Sequence, residues 1–472
     1  MSTLASSLSS LLSSSSSSSG VDISSILEAA LGASSPGIDV TAAVNSAVTA
    51  AEAPEQTWEN QESMLQSQMS ALTQIQTDAS NLDNDVQNLN SITGPFSSMT
   101  VNSSNSSLVT ASASSGSASG DHVVVVNGLA TTASWTSASL SSSSSDMPAG
   151  NFTITTGTGS DTITTDGTQT LSDVASQING YNLGVTASVI TDASGSRLAI
   201  IANSSGSASN FTVTPSTGSD YGFTQITGNN ASVTVDGIAY QSATNTVSGA
   251  ISGVTLDLQG AQPGTEVTLA IAPDTSGIES ALQQFVTDYN TVVSDLASQF
   301  TFNGASEGVL ATDSTVRNLQ NDVLSALDYT FAPTTGTTTV PNLTALGISV
   351  DNNGKLSLDT STLQSALQNN FSDVKSFFQG TSLNGFANSL DQQLTSFISP
   401  SNGAFTVDLQ SMNSEISGLQ QNISDFETNY IAPLKTQLQS EYSQAEIALQ
   451  ELPNEIKQIN AELGQNNNSS NG

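Results

Sequence analysis

The sequence predicts a multidomain α+β protein. Its long N- and C-terminal helices are expected to pair as a coiled-coil stalk, with antiparallel β-rich domains inserted between them. Three observations predict this fold class. Apolar residues recur every three or four positions near each end, apolar and polar residues alternate in the middle, and Gly, Pro and Asp-Gly signals separate the alternating runs. A chain of 472 residues has room for about three domains.

The N-terminal region is predicted to be a Ser-rich disordered leader followed by a helical stalk segment. Residues 1–36 have low complexity, because residues 1–20 are mostly serine and only residues 21–31 form a short apolar patch; the stalk segment covers residues 37–100. Thr41 is a possible helix N-cap, and Pro54 interrupts the helical pattern before it strengthens. The apolar stripe that follows has the spacing of one helix face and comprises Leu65, Met69, Leu72, Ile75, Ala79, Leu82, Val86, Leu89 and Ile92.

The middle of the chain is predicted to be antiparallel β structure with one helix at residues 171–178. Short alternating runs end in turn residues, and Asp236-Gly237 is a tight-turn signal between two of them. We expect one β domain from residues 101–147 plus 230–272, and a second inserted in it at residues 148–229. The runs themselves lie at residues 122–126, 152–156, 198–201, 211–214, 233–235, 254–258 and 267–271.

Helical patterns return after Pro273, and residues 273–402 are expected to form the helices and a β-hairpin of the stalk domain. The predicted helices cover residues 278–296, 316–327 and 363–378. The hairpin is predicted at residues 346–358.

The C-terminal region carries the most regular pattern, and one long helix is predicted at residues 403–463, followed by a disordered tail at residues 464–472. Pro433 and Pro453 are expected to kink or split this helix. An unbroken three-four seam runs through Leu409, Met412, Ile416, Leu419, Ile423, Phe426 and Tyr430. After one phase slip it continues through Leu434, Leu438, Tyr442, Ala445, Leu449, Leu452 and Ile456.

Each apolar stripe needs a partner, and the simplest partner for one is the other. This favours an antiparallel stalk, with a compact intramolecular bundle as the alternative. Packing between subunits could bury any remaining stripe. The residues expected to carry helix packing and assembly are therefore Leu65, Met69, Leu72, Ile75, Leu82, Val86, Leu89, Leu409, Met412, Ile416, Leu419, Ile423, Phe426, Tyr430, Leu434 and Leu438.

Composition excludes several classes of function. The net charge is -35 with only six Lys and Arg residues, the first of which is Arg197. Without basic clusters, binding to nucleic acid or to anionic lipid is not expected. No apolar run is long enough to span a membrane, so no membrane insertion is expected. Residues 1–20 lack the features of a signal peptide, so we expect any export to proceed without a cleaved one.

Residues that could carry chemistry are sparse, and no catalytic, cofactor or metal site is expected. The chain has no cysteine and one histidine, His122, at the start of an apolar run. Residues 351–355 (Asp-Asn-Asn-Gly-Lys) and 157–163 superficially resemble calcium loops, but their spacing favours turns. A pair of carboxylates for glycoside hydrolysis is not excluded by counting alone. The sequence indicates a non-enzymatic protein.

Several short motifs, taken in order, resemble the family of bacterial flagellar filament-capping proteins, hook-associated protein 2. The departures are a longer Ser-rich leader, in which residues 19–22 resemble an earlier copy of the family's start, the two C-terminal prolines, and few basic residues. The motifs that carry the resemblance lie at residues 37–40, 51–54, 192–198, 206–211, 231–237, 245–247, 251–256, 285–290, 310–314, 346–348 and 354–358.

The resemblance implies an extracellular ring-shaped homo-oligomer, a pentamer or hexamer, at the distal tip of the flagellum. Its partners would be further copies of itself, flagellin at the filament end and an export chaperone, and some family members also bind host surfaces. Two alternatives stay open. A hook-filament junction protein or flagellin-like shaft component also has helical ends around β domains. A surface adhesin would instead use a ligand site within residues 106–272.

Overall fold

A computed structural model describes residues 39–216, 220–300, 308–333, 336–380 and 384–468. The predicted Ser-rich leader, and residues 469–472 of the predicted tail, lie outside these residues. The α-helices of the described residues are α1 (Val40–Ala51), α2 (Ala53–Asn90), α3 (Leu171–Gly180), α4 (Thr275–Phe300), α5 (Ser314–Ala326), α6 (Thr360–Asn369), α7 (Phe371–Gln379), α8 (Phe386–Ile398), α9 (Ala404–Phe426) and α10 (Ala432–Asn468).

The strands pair antiparallel throughout and fall mostly between α2 and α4. They are β1 (Met99–Ser103), β2 (Val109–Ala113), β3 (Gly120–Gly128), β4 (Thr132–Thr136), β5 (Gly150–Thr156), β6 (Gly159–Thr165), β7 (Val185–Asp192), β8 (Gly195–Ser205), β9 (Thr212–Pro215), β10 (Thr224–Ile226), β11 (Ala231–Val235), β12 (Ile238–Ser242), β13 (Thr246–Ile251), β14 (Val254–Leu258), β15 (Val267–Pro273), β16 (Ile348–Val350) and β17 (Leu356–Leu358). The predicted fold class, terminal helices around antiparallel β structure, is confirmed.

The first two helices begin differently from the sequence prediction. Asp39, not Thr41, caps α1, because its carboxylate accepts the Ala42 N–H at 2.9 Å. Pro54 lies in the first turn of α2. Backbone N–H groups in a first turn have no carbonyl partner within the helix, so a proline there costs no helical hydrogen bond. α2 ends at Asn90, so Ile92 lies beyond the helix and is 88% exposed.

The first β unit consists of two sheets around a shared apolar core. Strands β1, β15, β3, β11 and β12 form a five-stranded sheet, and β13, β14 and β2 form a three-stranded one. Val124, Leu256 and Leu269 are fully buried between them. The predicted turn between β11 and β12 is present, and Asp236 and Gly237 both have positive φ (48° and 81°), as a tight hairpin turn requires.

The second β unit has its own core, built from the sheets β10-β4-β8-β7 and β6-β5-β9 together with α3. Thr170 and Asp173 cap the start of α3 reciprocally. The expected boundary at residue 147 is wrong, because β4 pairs with β8 and Ala133 is buried in this second core. The Ser/Thr-rich stretch around β4 has too little alternation to be recognised as a strand.

The third core is a helical bundle made by the C-terminal half of α2 with α4 to α8. Leu82, Phe285 and Leu390 are fully buried in it. The single helix predicted over residues 363–378 is two helices, α6 and α7, because the backbone at Asn370 leaves the helical region (φ -137°, ψ 35°). The predicted hairpin is β16–β17, and the Asn290 side chain on α4 bonds both the N–H and the C=O of Leu356.

The C-terminal helix is divided once, just before Pro433. Residues 427–431 form a π-helical turn, in which the Ala432 N–H bonds the Glu427 carbonyl five residues back. Proline has no N–H to donate, and its ring collides with the carbonyl of the residue four positions earlier in an α-helix. The wider π turn makes room for the ring. The split expected at residue 453 is wrong, because α10 continues to Asn468, five residues past the expected end at 463.

Candidate assembly surface

The terminal helices of the chain pack together antiparallel. α1 packs against α10, and the N-terminal half of α2 packs against α9. Gln420 Nε2 donates to Glu62 Oε1 at 2.7 Å, and Gln76 Nε2 donates to Thr406 Oγ1 at 3.4 Å. Residue numbers thus rise along one helix as they fall along its partner. We call residues 40–69 together with residues 412–442 the rod.

The outer end of the rod is closed by a small apolar cluster. Val44 and Val48 on α1 are almost fully buried, and Ile431 beside them is 8% exposed. Leu438 and Tyr442 are half-buried against the same cluster. This contact joins α1, at the start of the described chain, to α10, which begins about 390 residues further along the sequence.

The inner end of the rod contains a second cluster. Leu65, Ile416 and Leu419 are 6–9% exposed and form its centre. Between the two clusters, the rings of Trp58 and Phe426 meet edge to face with centroids 5.5 Å apart. Three half-buried side chains flank the second cluster, namely Trp58, Met69 and Met412.

The π-helical turn changes which side chain closes the rod. Tyr430 continues the predicted seam, yet it is 49% exposed, while Ile431 is buried. A π turn contains one more residue than an α turn. The side chain that faces the partner helix is therefore one position later in the sequence after this turn, at Ile431 instead of Tyr430. Ile423 and Leu434 on either side are half-buried. The phase slip seen in the sequence coincides with this turn.

The expectation that the whole N-terminal stripe pairs with the C-terminal seam is wrong for the second half of α2. There the stripe is buried in the helical bundle by α4 and α8. These helices present apolar faces of their own, and Leu409 at the start of the seam also packs against the bundle. The stripe residues enclosed in this way are Leu72, Ile75, Leu82, Val86 and Leu89.

The sequence prediction missed four rod residues, namely Val44, Val48, Trp58 and Ile431. Val44 and Val48 are one helical turn apart on α1, so their spacing was a usable signal. Ile431 was missed because a π turn cannot be read from an apolar pattern.

Charge contributes little attraction to the rod. The ion pairs found among the described residues, His122–Asp236 at 2.7 Å and Arg197–Asp192 at 3.2 Å, both lie in the β units. Glu55 on α2 lies beside Glu427 instead, and burial, followed by the charge of Glu427, raises the pKa of Glu55. Apolar contacts and the hydrogen bond from Gln420 to Glu62, rather than pairs of opposite charges, therefore stabilise the rod.

The single histidine of the chain, His122, lies in the first β unit and not in the rod. His122 contacts Asp236 at an exposed β turn, where Asp236 also accepts the Val123 N–H at 2.9 Å. In the described part of the chain, no group of three His, Asp or Glu side chains could hold a metal ion. No helix there has the length and apolar character to cross a bilayer. What the terminal helices offer is a packing surface.

Three family models match the chain in order. Residues 36–133 match the flagellar hook-associated protein 2 N-terminus, and residues 228–454 match the flagellar hook-associated protein 2 C-terminus. Between them, residues 151–204 match the flagellin hook IN motif. The last match coincides with β5 to β8 of the second β unit.

Individual relatives and solved structures agree with these matches. Flagellar hook-associated protein 2 of Aeromonas caviae is 27% identical over 435 residues, which is 85% of this chain and 92% of the relative. The B-type protein of Pseudomonas aeruginosa is 29% identical over 320 residues, covering 60% of this chain and 67% of the relative. The D1-D2-D3 crystal structure of the Escherichia coli flagellar cap protein superposes with a TM-score of 0.56 at 25% identity, covering 73% of this chain and 99% of that one. The chain therefore belongs to the flagellar hook-associated protein 2 family, the flagellar cap proteins.

Proposed function

We propose that this protein caps the distal end of a bacterial flagellar filament, where it promotes folding and polymerisation of exported flagellin and prevents its loss. The observation that carries the proposal is the rod. Both terminal segments continue beyond the bundle as one antiparallel pair, α1 and α2 against α9 and α10, and the two β units have separate cores. This arrangement suits a protein that reaches a filament end with its helices and covers that end with its β units.

The cap is proposed to be a ring of identical subunits, a pentamer or hexamer. Exposed apolar side chains on the C-terminal helical segment and on sheet-edge strands support contacts beyond one chain. Tyr430 is 49% exposed and Ile447 on α10 is 57% exposed, while Ile226 on β10 and Ile238 on β12 are each at least 60% exposed. Edge strands and apolar helix faces are the surfaces that subunits commonly share.

Flagellin is the proposed partner at the filament tip, and an export chaperone is proposed to hold the chain before assembly. The strongly negative charge, -35 over the whole sequence, keeps the free protein soluble and monomers apart until specific apolar contacts form. The proposed location is extracellular, at the flagellar distal tip. No cofactor is proposed.

Deletion and complementation test the cap function. We expect cells without the gene to have short or absent filaments and to release unpolymerised flagellin into the medium. The full chain should restore filaments, and Ile416→Asp should not, because it places a charge in the centre of the rod. Ser417→Asp is the matched control: Ser417 is exposed on the same helix and its change should leave complementation intact.

Labelling the protein on intact filaments separates the cap from the alternatives. Label at the tip supports the proposal, whereas label along the shaft or at the hook junction would reject it in favour of a shaft component. Normal filaments in the deletion strain, combined with loss of attachment to host surfaces, would reject it in favour of an adhesin.

A further inference from the structure

In the bundle, aspartate side chains on α2 lie directly against aspartate side chains on the neighbouring helices α4 and α8. Asp83 lies within hydrogen-bonding reach of Asp391 on α8. Asp85 contacts Asp288 on α4 in the same way. About two turns before Asp85, Asp78 of α2 contacts Asp295, also on α4. Three acidic pairs therefore join a single helix to two different partners.

The surroundings of these pairs are neutral. The Gln87 amide nitrogen lies between the first pair, at 2.7 Å from Asp83 Oδ2 and 3.0 Å from Asp391 Oδ1. Glutamine amides also donate to Asp78 and Asp288, at 2.8 and 3.0 Å, from Gln74 and Gln284. A Gln therefore stands beside each pair, where a salt-bridged pair would have a Lys or Arg.

Burial leaves some of these oxygens without a donor. Asp83 is 6% exposed, and its Oδ1 is buried without a hydrogen-bond partner in the described structure. The same is true of Asp85 Oδ2. A buried carboxylate oxygen facing another carboxylate is strongly unfavourable unless a proton lies between them.

Basic residues do not relieve this crowding. Neither ion pair of the described residues involves the bundle. Arg317 on α5 has its guanidinium over the Phe300 ring at 4.6 Å and donates to the Ala311 carbonyl. Lys355 on the hairpin and Lys375 on α7 form no ion pair within the described residues. The groups that influence the three pairs are the facing carboxylates and the neutral amides.

We propose that each of these three pairs holds one shared proton and that together they form a pH-sensitive clamp between α2 and the bundle. When protonated, one carboxyl of a pair donates an O–H···O bond to the other. When both are ionised, like charges face each other across the α2–α4 and α2–α8 contacts. Because α2 continues without a break into the rod, loosening its bundle half also frees the rod relative to the bundle.

The direction of the pH effect follows from the carboxyl groups. Burial and then Asp391 raise the pKa of Asp83 to about 7, and burial and then Asp288 raise the pKa of Asp85 to about 7. Burial and then Asp78 raise the pKa of Asp295 to about 6. In the unfolded chain an Asp titrates near about 3.9. The stabilisation is complete below that value and is lost once the pH has risen through the folded pKa values.

The test is the pH dependence of unfolding for the full-length chain and for the triple variant Asp83→Asn, Asp85→Asn, Asp295→Asn. Asn has the shape of a protonated Asp and keeps a donor for the facing carboxylate. Denaturant titrations at pH 5 and pH 8 should show the wild type losing at least about tenfold in folding equilibrium constant per pair, the equivalent of one unit of pKa. The triple variant should lose far less.

The control has the same change in net charge at exposed positions: Asp121→Asn, Glu415→Gln, Asp425→Asn. It should keep the wild-type pH dependence. If the triple variant does not fold, Asp83→Asn and Asp85→Asn singly should each reduce the dependence, and NMR of Asp-carboxyl-labelled wild type should show carboxyls titrating near neutral pH.

Three results would overturn the clamp. The triple variant and wild type could have equal pH dependence. The labelled carboxyls could all titrate at ordinary acidic values. Alternatively, millimolar Ca²⁺ at pH 8 could restore wild-type stability without effect on the triple variant, and the pairs would then be cation sites.

Discussion

The two halves of α2 belong to one helix but differ in how they are buried. In the bundle half, Leu82 is fully buried, with α4 and α8 packed against the helix. In the rod half, Leu65 is 9% exposed and packs mainly against α9. A side chain with one partner helix loses less contact when it is truncated than one enclosed from several sides.

The polar contacts of the two halves differ in the same way. In the rod, Glu62 accepts from Gln420 at an exposed position. In the bundle, Asp83 and Asp391 share the Gln87 amide with one oxygen left unpaired. Sequence periodicity therefore determines which side chains share a helix face. The number of helices packed around that face determines how much each side chain contributes to the free energy of unfolding.

The largest expected effect comes from Leu82→Ala. The fully buried leucine leaves a cavity inside the bundle, and we expect a loss of about 3–5 kcal/mol in the free energy of unfolding. Denaturant unfolding of the full chain measures it. Leu65→Ala on the same helix is the matched comparison and should cost less, and equal losses would contradict the distinction between the two halves.

A smaller effect is expected from Ile416→Ala in the rod. Its side chain is 6% exposed but packs against a single partner helix, α2, so we expect a loss of about 2 kcal/mol, the low end for such a truncation. Hydrogen exchange should rise in α9 and the first half of α2 and stay unchanged in α4. Val407→Ala, at a residue 54% exposed on α9, is the control. Exchange that increases equally in α4 would show that rod and bundle open as one unit.

The smallest effect is expected from Asp236→Asn in the first β unit. Hydrogen bonds from His122 and Val123 hold the pKa of Asp236 below its usual range, and the contact is largely exposed. We expect a loss below about 1 kcal/mol near pH 7. Since this stabilisation is present above about pH 4 and lost as the pH falls through the folded pKa, thermal unfolding of variant and wild type should converge in acid. A gap that persists at pH 2 would contradict this assignment.

Some features were readable from the sequence because they depend on neighbouring residues alone. The Asp236-Gly237 turn, the capped helix α3 and the hairpin β16–β17 follow from local backbone preferences. Strand β4 was not predicted, because its Ser- and Thr-rich residues lack a clear alternating pattern. They form a strand because they pair with β8, which lies far away in the sequence. Helix α8 was likewise not predicted as a separate element.

For the assembly surface, the sequence alone determined which positions are apolar and that both ends of the chain are amphipathic helices, because a helical repeat fixes which side chains share a face. Only the tertiary structure decided which helix covers each part of that face. It divided the stripe on α2 between rod and bundle, moved the seam from Tyr430 to Ile431 through a π turn, and brought Asp83 against Asp391. These contacts join residues far apart in the chain, and such pairings depend on the packing of the whole molecule rather than on local preference.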